Sequence, residues 1–260
     1  MTNRYGSFIW YELQTPDPDA SKAFYDAVVG WTIESAPAGP MDYRMITATS
    51  GNVGGVMRLA PEMVAGGAVP GWMPYLHVAD VDQAVAAITG DGGTVYLPAF
   101  NIEAGRIAMV ADPQGVPIYI MAPTPPADDP DATSDVFSPT EVQHVSWNEL
   151  ASPDLAASKA FYAKHFGFEF NEAMPMGPAG DYCFIDHHGV RLGAIMQRQD
   201  DRQPARWLSY FRVASVAAAK AAVEAGGGTV LVGPIEVPGG DHIIVAIDPQ
   251  GAGFGIVGGA

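Results

Sequence analysis

The chain repeats a long segment of its own sequence, and this duplication limits the possible folds more than any other feature. Trp10, Glu12-Leu13, Pro16-Asp17 and the segment 20–25 return in the same order within residues 147–162, at an offset of 137 positions. The tetrapeptide Asp-Pro-Gln-Gly begins at Asp112 and again, unchanged, at Asp248. A chain that carries one unit twice is expected to fold as two copies of one domain.

The segment between the two copies has a different composition. "APTPPADDPDATSDVFSP", residues 122–139, is rich in Pro and Asp and shows no apolar period. Such a segment is typical of a semi-extended linker. We therefore predict an N-terminal domain over 5–121, a linker over 122–139 and a C-terminal domain over 140–258.

Each half contains the pattern strand, helix and then several strands, written twice. Apolar residues recur at helical spacing in "DASKAFYDAVVG", whereas "SFIWYEL" is rich in residues that favour strands. The fold class is α+β, with two βαβββ-like modules in each half. Asp17 and Asp154 are predicted to cap the repeated helix, and Ser21 and Ser158 either to face solvent or to lie near its N-terminus.

Composition excludes several classes of partner. The formal net charge is −16, and the sequence pI is about 4.5, so the surface repels phosphate backbones and anionic headgroups. We expect neither a nucleic-acid nor a membrane partner, and a monomer or homodimer that binds a small molecule. With Cys183 as the single cysteine, no intramolecular disulfide can form. No signal-peptide pattern opens the chain, so a cytoplasmic location is expected.

Together, "D…A..FY..V.GW" and "V.DVD.AV…I…GG" in the first half and "DP.G" near the end of each half resemble the vicinal oxygen chelate superfamily. That group includes glyoxalase I, bleomycin resistance proteins, fosfomycin resistance enzymes and extradiol dioxygenases. The form "W.EL.(S/T)PD…SKAFY" resembles its two-domain glyoxalase-like branch, and the match covers nearly all of 8–121 and 142–257. The resemblance implies two tandem barrels, each with a cupped sheet around a cavity and its helices outside. Enzymes of the family usually hold a divalent metal ion in that cavity.

The family's metal-ligand positions carry the wrong side chains in this chain. By the resemblance, the ligands would stand at Trp10 and Trp147, at Met73 and Leu208, and at Tyr119 and Gly255. Indole, thioether, aliphatic and phenolic side chains and glycine are poor substitutes for the usual imidazole and carboxylate ligands. We therefore predict no metal ligands and no cofactor.

The same positions describe an apolar cavity around a carboxylate. Because strand side chains alternate, Glu12 shares a face with Trp10, and Glu149 shares a face with Trp147. We predict Glu12 and Glu149 as catalytic residues. The predicted ligand-binding residues are Trp10, Met73, Ile107, Met109, Tyr119, Trp147, Leu208, His242, Ile243 and Val245. Small-molecule sites commonly combine apolar walls with a few polar groups.

Three functions remain open at this point. The first is binding of a small apolar or aromatic molecule in a metal-free cavity, either to sequester it or to act on it with the help of Glu12 or Glu149. The second is a metal-dependent lyase or dioxygenase with atypical ligands, such as Glu12 with His77 or Glu149 with His242. The third is a non-catalytic interaction module with filled cores, in which each buried Glu needs a partner such as Arg44, Arg58, Arg106, Arg191 or His242.

Overall fold

The structure is a computed structural model that describes residues 3–38, 41–201 and 203–260. In these ranges the chain forms two eight-stranded mixed sheets with a small number of helices. The predicted α+β fold class, a tandem glyoxalase-like duplication, is confirmed. None of the helices within the described ranges combines the length and apolar character that crossing a bilayer requires.

The secondary structure follows the βαβββ order four times. The strands of the first sheet are β1 (Phe8–Thr15), β2 (Thr32–Ile33), β3 (Tyr43–Ala48), β4 (Gly51–Arg58), β5 (Gly71–His77), β6 (Thr94–Ile102), β7 (Gly105–Ala111) and β8 (Pro117–Pro123). Those of the second are β9 (Val145–Ser152), β10 (Ala173–Pro175), β11 (Asp181–His187), β12 (Val190–Gln197), β13 (Trp207–Val213), β14 (Thr229–Glu236), β15 (His242–Ile247) and β16 (Gly253–Gly258). The helices are α1 (Pro18–Val28), α2 (Pro61–Ala65), α3 (Val81–Gly90), α4 (Leu155–Phe166) and α5 (Val216–Ala225).

Strand order is the same in both sheets. It runs β2-β3-β4-β1-β5-β8-β7-β6 in the first and β10-β11-β12-β9-β13-β16-β15-β14 in the second. Within each module the first strand pairs in parallel with the last, as β9 does with β12, and the remaining pairs are antiparallel. A helix joins the first strand of each module to the next, because parallel strands need a crossover connection.

The compact units of the chain differ from its sequence repeats. Unit 1 combines Pro74–Asp135 with Trp147–Trp207 and the N-terminal residues to Ile9. Unit 2 combines Trp10–Met73 with Val136–Ser146 and Leu208–Ala260. Each unit therefore contains one module from each repeat. The domain boundaries given above stay a prediction from the sequence.

The repeated helix is capped as predicted. Asp17 accepts a hydrogen bond from the backbone N–H of Ala20 at 3.1 Å, and Asp154 accepts one from Ala157 at 3.0 Å. A carboxylate at this position satisfies an N–H group that has no partner within the helix. These two acids have a structural role, which explains why the motif repeats them.

The helix serines lie near the N-termini of α1 and α4, which was one of the two expectations, and the other expectation, that they face solvent, is wrong. Ser21 and Ser158 are both fully buried. The hydroxyl of Ser21 lies 2.9 Å from that of Thr15, and the hydroxyl of Ser158 lies 2.7 Å from that of Ser152. In each case the second serine or threonine ends the first strand of the module, so the pair fastens the helix to that strand.

The tyrosine of the repeated motif and the aspartate of the repeated turn meet inside unit 2. The hydroxyl of Tyr25 donates to the carboxylate of Asp248 at 3.0 Å and accepts a hydrogen bond from the indole N–H of Trp72 at 2.9 Å. Asp248 also accepts the backbone N–H groups of Gln250 at 2.9 Å and Ala252 at 2.8 Å. Tyr25 belongs to the first repeat and Asp248 to the second, so this contact joins the repeats.

Unit 1 contains the reciprocal arrangement. Tyr162, from the second repeat, is hydrogen-bonded to Asp112, from the first, and Trp207 donates to the Tyr162 hydroxyl at 3.0 Å. Asp112 accepts the backbone N–H groups of Gln114 and Val116, both at 2.9 Å. Burial raises the pKa of both turn carboxyls, Asp112 and Asp248, and raises the pKa of both tyrosines well above the usual range.

Burial in the fold disfavours the charged form of three histidines. Burial lowers the pKa of His77, His165 and His187, although contacts such as the 2.8 Å pair of His165 with Asp91 act in the opposite direction. The ring of His187 lies between two backbone oxygens, with Nδ1 3.2 Å from that of Gly167 and Nε2 2.8 Å from that of Tyr5.

We expect stability to fall as the pH drops below the unfolded-state pKa of histidine, which is 6.5. A lowered pKa in the folded state means that the unfolded chain binds more protons, so the stability is complete above pH 6.5 and is lost as the pH falls through the folded-state pKa. Urea unfolding between pH 8 and 5 measures the slope. His187→Asn should reduce it, whereas His188→Asn, which removes only a minor contribution to the lowered pKa of His187, should change it much less. An equal slope in wild type and His187→Asn contradicts this assignment.

Candidate functional site

The first cluster lies on β1, β3 and β4 within unit 2. Strand alternation places Trp10, Glu12 and Gln14 on one face of β1. The indole N–H of Trp10 donates to the hydroxyl of Tyr43 at 2.8 Å, and the amide of Gln14 donates to Glu12 at 3.1 Å. Glu12 pairs in register with Gly55 on β4, where a side chain would collide with the Tyr43 hydroxyl. Because Gly55 has no side chain, the Tyr43 ring fits beside Glu12.

The equivalent cluster lies on β9 and β11 within unit 1, and its hydrogen bonds form a chain. Trp147 donates to the hydroxyl of Tyr182 at 2.8 Å, and this hydroxyl donates to the carboxylate of Glu149 at 2.6 Å. The rings of Trp147 and Tyr182 are parallel within 4°. Phe184 meets Trp147 edge-on with 6.1 Å between centroids. Tryptophan, tyrosine and glutamate thus occupy corresponding positions in both units.

Sequence reasoning missed both tyrosines. The available signal was the pair Asp42-Tyr43, which returns as Asp181-Tyr182 within "DYRMI" and "DYCFI". Repetition alone marks these residues, but it does not say that their hydroxyl groups reach the tryptophan and the glutamate.

This arrangement can accept and pass a proton. The tyrosine hydroxyl is oriented by the indole N–H, and a hydrogen bond as short as 2.6 Å to a carboxylate is typical of a strong, charge-assisted contact. A glutamate held in this way can accept a hydrogen bond from a bound molecule or act as a general base toward it. The three partly exposed side chains, Trp147, Glu149 and Tyr182, offer both aromatic surface and a carboxylate.

The remaining predicted residues of unit 1 lie on β7 and β8. Tyr119 stacks on Tyr75 with 4.3 Å between ring centroids and is paired across strands with Met109. Met109 is half-buried, whereas Ile107 and Tyr119 are buried. Together these residues form an aromatic and aliphatic surface. Their surroundings are therefore apolar, as the sequence predicted.

The remaining predicted residues of unit 2 lie on β5, β13 and β15. Met73, Leu208, Ile243, Val245 and His242 are all half-buried. Val245 pairs with Gly255, where a side chain would collide with the ring of Tyr210. A glycine in the second repeat thus takes the place that Tyr119 has in the first, and the two apolar surfaces differ for this reason.

The arginines considered as partners for the glutamates pair with other acids. Arg44 is fully buried and donates to Asp19 and Asp42, both at 2.7 Å, and these contacts raise its pKa above the usual range. Arg58 shares Asp42 at 2.9 Å. The remaining two candidates pair in the same way, Arg106 with Asp82 at 2.7 Å and Arg191 with Asp186 and Glu172, each at 2.9 Å. Each of these four arginines therefore has at least one acidic partner of its own.

The residues present do not fit the divalent metal that the family resemblance implies. The positions of the first-strand ligand hold Trp10 and Trp147, and each indole N–H is a donor that already binds a tyrosine. Within residues 3–38, 41–201 and 203–260, no group of three or more His, Cys, Asp or Glu side chains is arranged to hold a metal ion. Glu12 accepts a hydrogen bond from the Gln14 amide, and Glu149 accepts one from the Tyr182 hydroxyl. Both contacts are those of a hydrogen-bonded carboxylate.

Comparison with known proteins agrees with the fold and the duplication. The "Putative glyoxylase CFP32" of Mycobacterium bovis is 31% identical over 261 residues, which cover 98% of this chain and 95% of that protein. The "Anthracycline biosynthesis protein DauV" of Streptomyces sp. strain C5 is 26% identical over 270 residues, covering 97% and 93% of the two chains. Among solved structures, the Mn(II)-bound glyoxalase from Novosphingobium aromaticivorans matches with a TM-score of 0.65 and 17% identity, covering 98% of this chain and 82% of that one.

The sequence also matches a family model twice, over residues 7–120 and 141–256. These ranges correspond to the two copies of the repeated unit. The chain therefore belongs to the Glyoxalase/Bleomycin resistance protein/Dioxygenase superfamily.

Proposed function

We propose that this chain is a cytoplasmic protein that binds a small apolar or aromatic organic molecule in a metal-free cavity. It either sequesters that molecule or acts on it with a glutamate as proton acceptor. The observation that carries the proposal is the Trp–Tyr–Glu cluster, which stands where the family places a metal ligand and is built from aromatic rings and a carboxylate.

Each member of the cluster has a definite role in this proposal. The tryptophan ring supplies a flat apolar surface, and its N–H fixes the tyrosine hydroxyl. The hydroxyl then donates to Glu149, which keeps the carboxylate in one orientation toward a bound molecule. If the protein is catalytic, Glu149 accepts a proton from the substrate, and the tyrosine hydrogen bond stabilises the ionised form of the carboxylate before that transfer.

The relatives support a small organic ligand but name different chemistries. DauV is named for anthracycline biosynthesis, CFP32 is named a "Putative glyoxylase", and the Novosphingobium protein is a Mn(II)-bound glyoxalase. The proposal for this chain differs from a Mn(II)-bound glyoxalase. In both repeats a tryptophan stands at the first-strand position where the family has a metal ligand.

Intrinsic fluorescence can test binding, because the five tryptophans differ in exposure. Trp31, Trp72 and Trp207 are buried, whereas Trp10 and Trp147 are half-buried in the clusters. Chelator-treated protein is titrated with a panel of small aromatic compounds while tryptophan emission and melting temperature are recorded. We expect at least one compound to quench emission and to raise the melting temperature, with the quenching lost in Trp10→Phe or Trp147→Phe.

A parallel titration with Zn²⁺, Mn²⁺, Fe²⁺ and Ni²⁺ separates the alternatives. We expect no stoichiometric binding of these ions. A tightly bound ion that restores turnover of a panel compound contradicts the metal-free proposal, and a panel without any binding compound contradicts ligand binding.

A further inference from the structure

A serine and a histidine that the proposed function does not use meet at the turn between β3 and β4. Both residues belong to unit 2. Ser50 is exposed at this turn, and its hydroxyl oxygen lies 3.1 Å from Nε2 of His144. His144, just before β9, is only 3% exposed, and its Nδ1 lies 2.9 Å from the backbone oxygen of Val142. The imidazole therefore connects an exposed hydroxyl group to a backbone carbonyl group.

The contact with Val142 decides where the protons of this pair lie. A carbonyl oxygen can only accept, so Nδ1 of His144 carries the ring proton and donates it to Val142. In the neutral imidazole Nε2 is then an acceptor, and the Ser50 hydroxyl donates to it. A hydroxyl group that donates to an imidazole, whose other nitrogen is held by a third group, has the arrangement of an activated nucleophile.

Gln143 holds the turn and the histidine in place. Its side-chain oxygen accepts the backbone N–H of Thr49 at 3.1 Å, and its amide nitrogen donates to the backbone oxygen of Gly30. Its backbone oxygen accepts the indole N–H of Trp31 at 2.7 Å. The φ angle of Gln143 is 66°, in the left-handed region that few residues with a side chain adopt. Strained residues that are fixed by their neighbours are frequent at functional sites.

The serine–histidine pair was not copied by the duplication. The repeat offset places Ser7 where the second repeat has His144. The turn between β11 and β12, which corresponds to Thr49-Ser50 by strand register, is His188-Gly189. Features that the fold needs, such as the aspartate caps, occur in both repeats. The pair occurs once, so the βαβββ module does not require it.

We propose that Ser50 and His144 form a nucleophilic site that hydrolyses small activated carboxylic esters. The Ser50 oxygen forms a bond to the acyl carbon while His144 Nε2 takes the hydroxyl proton. The bond from the acyl carbon to the leaving alcohol then breaks, and the alcohol oxygen receives that proton. Water attacks the acyl serine with His144 as the base, which releases the carboxylic acid and restores the serine. This activity does not rest on the proposed function, because it uses neither Trp–Tyr–Glu cluster.

Labelling of the full chain with diisopropyl fluorophosphate tests the nucleophile. The serine oxygen forms a bond to phosphorus as fluoride leaves, so intact mass spectrometry counts the labels and peptide mapping locates them. We expect one label, on Ser50, which is lost in Ser50→Ala. Ser35→Ala, at an exposed serine after β2, is the control and should be labelled like the wild type. A chain that is not labelled on Ser50 overturns the proposal.

Two substitutions of His144 separate base catalysis from a purely structural contact. His144→Asn keeps an N–H group for the Val142 oxygen but removes Nε2, whereas His144→Gln keeps an acceptor for Ser50 that cannot take its proton. Both should slow the labelling of Ser50 at least about 100-fold, because a general base contributes this much. Circular dichroism verifies that the variants are folded. Labelling at the wild-type rate in either folded variant shows that the contact only fastens the turn, and the proposal is then wrong.

Hydrolysis of 4-nitrophenyl acetate tests turnover by the same pair. Release of 4-nitrophenolate should begin with a burst of about one molecule per chain as Ser50 is acylated, and should continue more slowly as water removes the acetyl group. Ser50→Ala, or prior labelling with diisopropyl fluorophosphate, should abolish the burst. Release that neither treatment changes overturns the proposal. Binding of aromatic compounds is followed separately by fluorescence, so this proposal and the proposed function can fail independently.

Discussion

Replacing Asp248 with alanine should lower the free energy of unfolding by about 4 kcal/mol, because several buried donors lose their acceptor together. The side chain of Asp248 accepts the hydroxyl of Tyr25 and the backbone N–H groups of Gln250 and Ala252. Asp248 is 3% exposed, so water cannot replace the carboxylate without opening the structure. Urea unfolding followed by circular dichroism measures the change.

Milder substitutions separate the parts of this network. Tyr25→Phe keeps the ring but leaves the Trp72 indole N–H without its acceptor, and should cost about 2 kcal/mol. Asp248→Asn should cost less than alanine, because it keeps one acceptor oxygen and removes a charge whose burial raises the pKa of Asp248. The combined variant should cost less than the sum of the two single variants, because they share one hydrogen bond.

The second unit provides a matched experiment. Asp112→Ala and Tyr162→Phe remove the equivalent contacts in unit 1, and their costs should be similar to those in unit 2. Asp128→Ala, at an exposed position of the segment between the repeats, is the control and should change stability by less than about 0.5 kcal/mol. If Asp248→Ala lowered the free energy of unfolding as little as the control does, the network would not stabilise the contact between the repeats.

These networks explain why part of the fold could not be predicted from the sequence. The Phe-Tyr pair and the Asp-Pro-Gln-Gly turn were both recognised as repeated. Because each repeat carries both motifs, Tyr25 could pair with Asp112 of its own repeat or with Asp248 of the other, and the pattern fits either choice. The structure selects the exchanged pairing. The same pairing buries Ser21, whose hydroxyl lies 3.3 Å from the side chain of Gln250, and this is why a solvent-facing serine was the wrong prediction.

The parts that could be predicted depend on local physics. Strand alternation correctly gave Trp10 and Glu12 a common face, because the side-chain period of a strand is two whatever the surrounding fold. The aspartate caps were predictable for the same local reason. Tyr43 and Tyr182 were missed because their role depends on the register of β3 and β11 against neighbouring strands. Register is a property of the sheet, which a single strand sequence does not determine.

The backbones of β9 and β12 approach closely at Gly193, so a substitution at this position should strongly lower the free energy of unfolding. Gly193 on β12 pairs with Asn148 on β9, and a Cβ atom at 193 would overlap the carbonyl oxygen of Asn148 and lie 2.7 Å from its carbonyl carbon. Backbone atoms cannot rotate away as a side chain can. Gly193→Ala should therefore cost roughly 3–5 kcal/mol, because β12 must move away from the strand that carries Glu149.

Two other glycines provide the comparison that isolates this cause. Gly54 is the equivalent residue of the first repeat, where an added Cβ would lie 2.6 Å from the oxygen of Tyr11, so Gly54→Ala should also destabilise, but less. Gly90 ends α3 with open space around it, and Gly90→Ala should stabilise the protein by up to about 1 kcal/mol. Denaturant unfolding of the three variants should give this order. If Gly193→Ala unfolds at the same denaturant concentration as wild type, the two strands do not approach this closely, and the register that sets Glu149 beside Ala194 is incorrect.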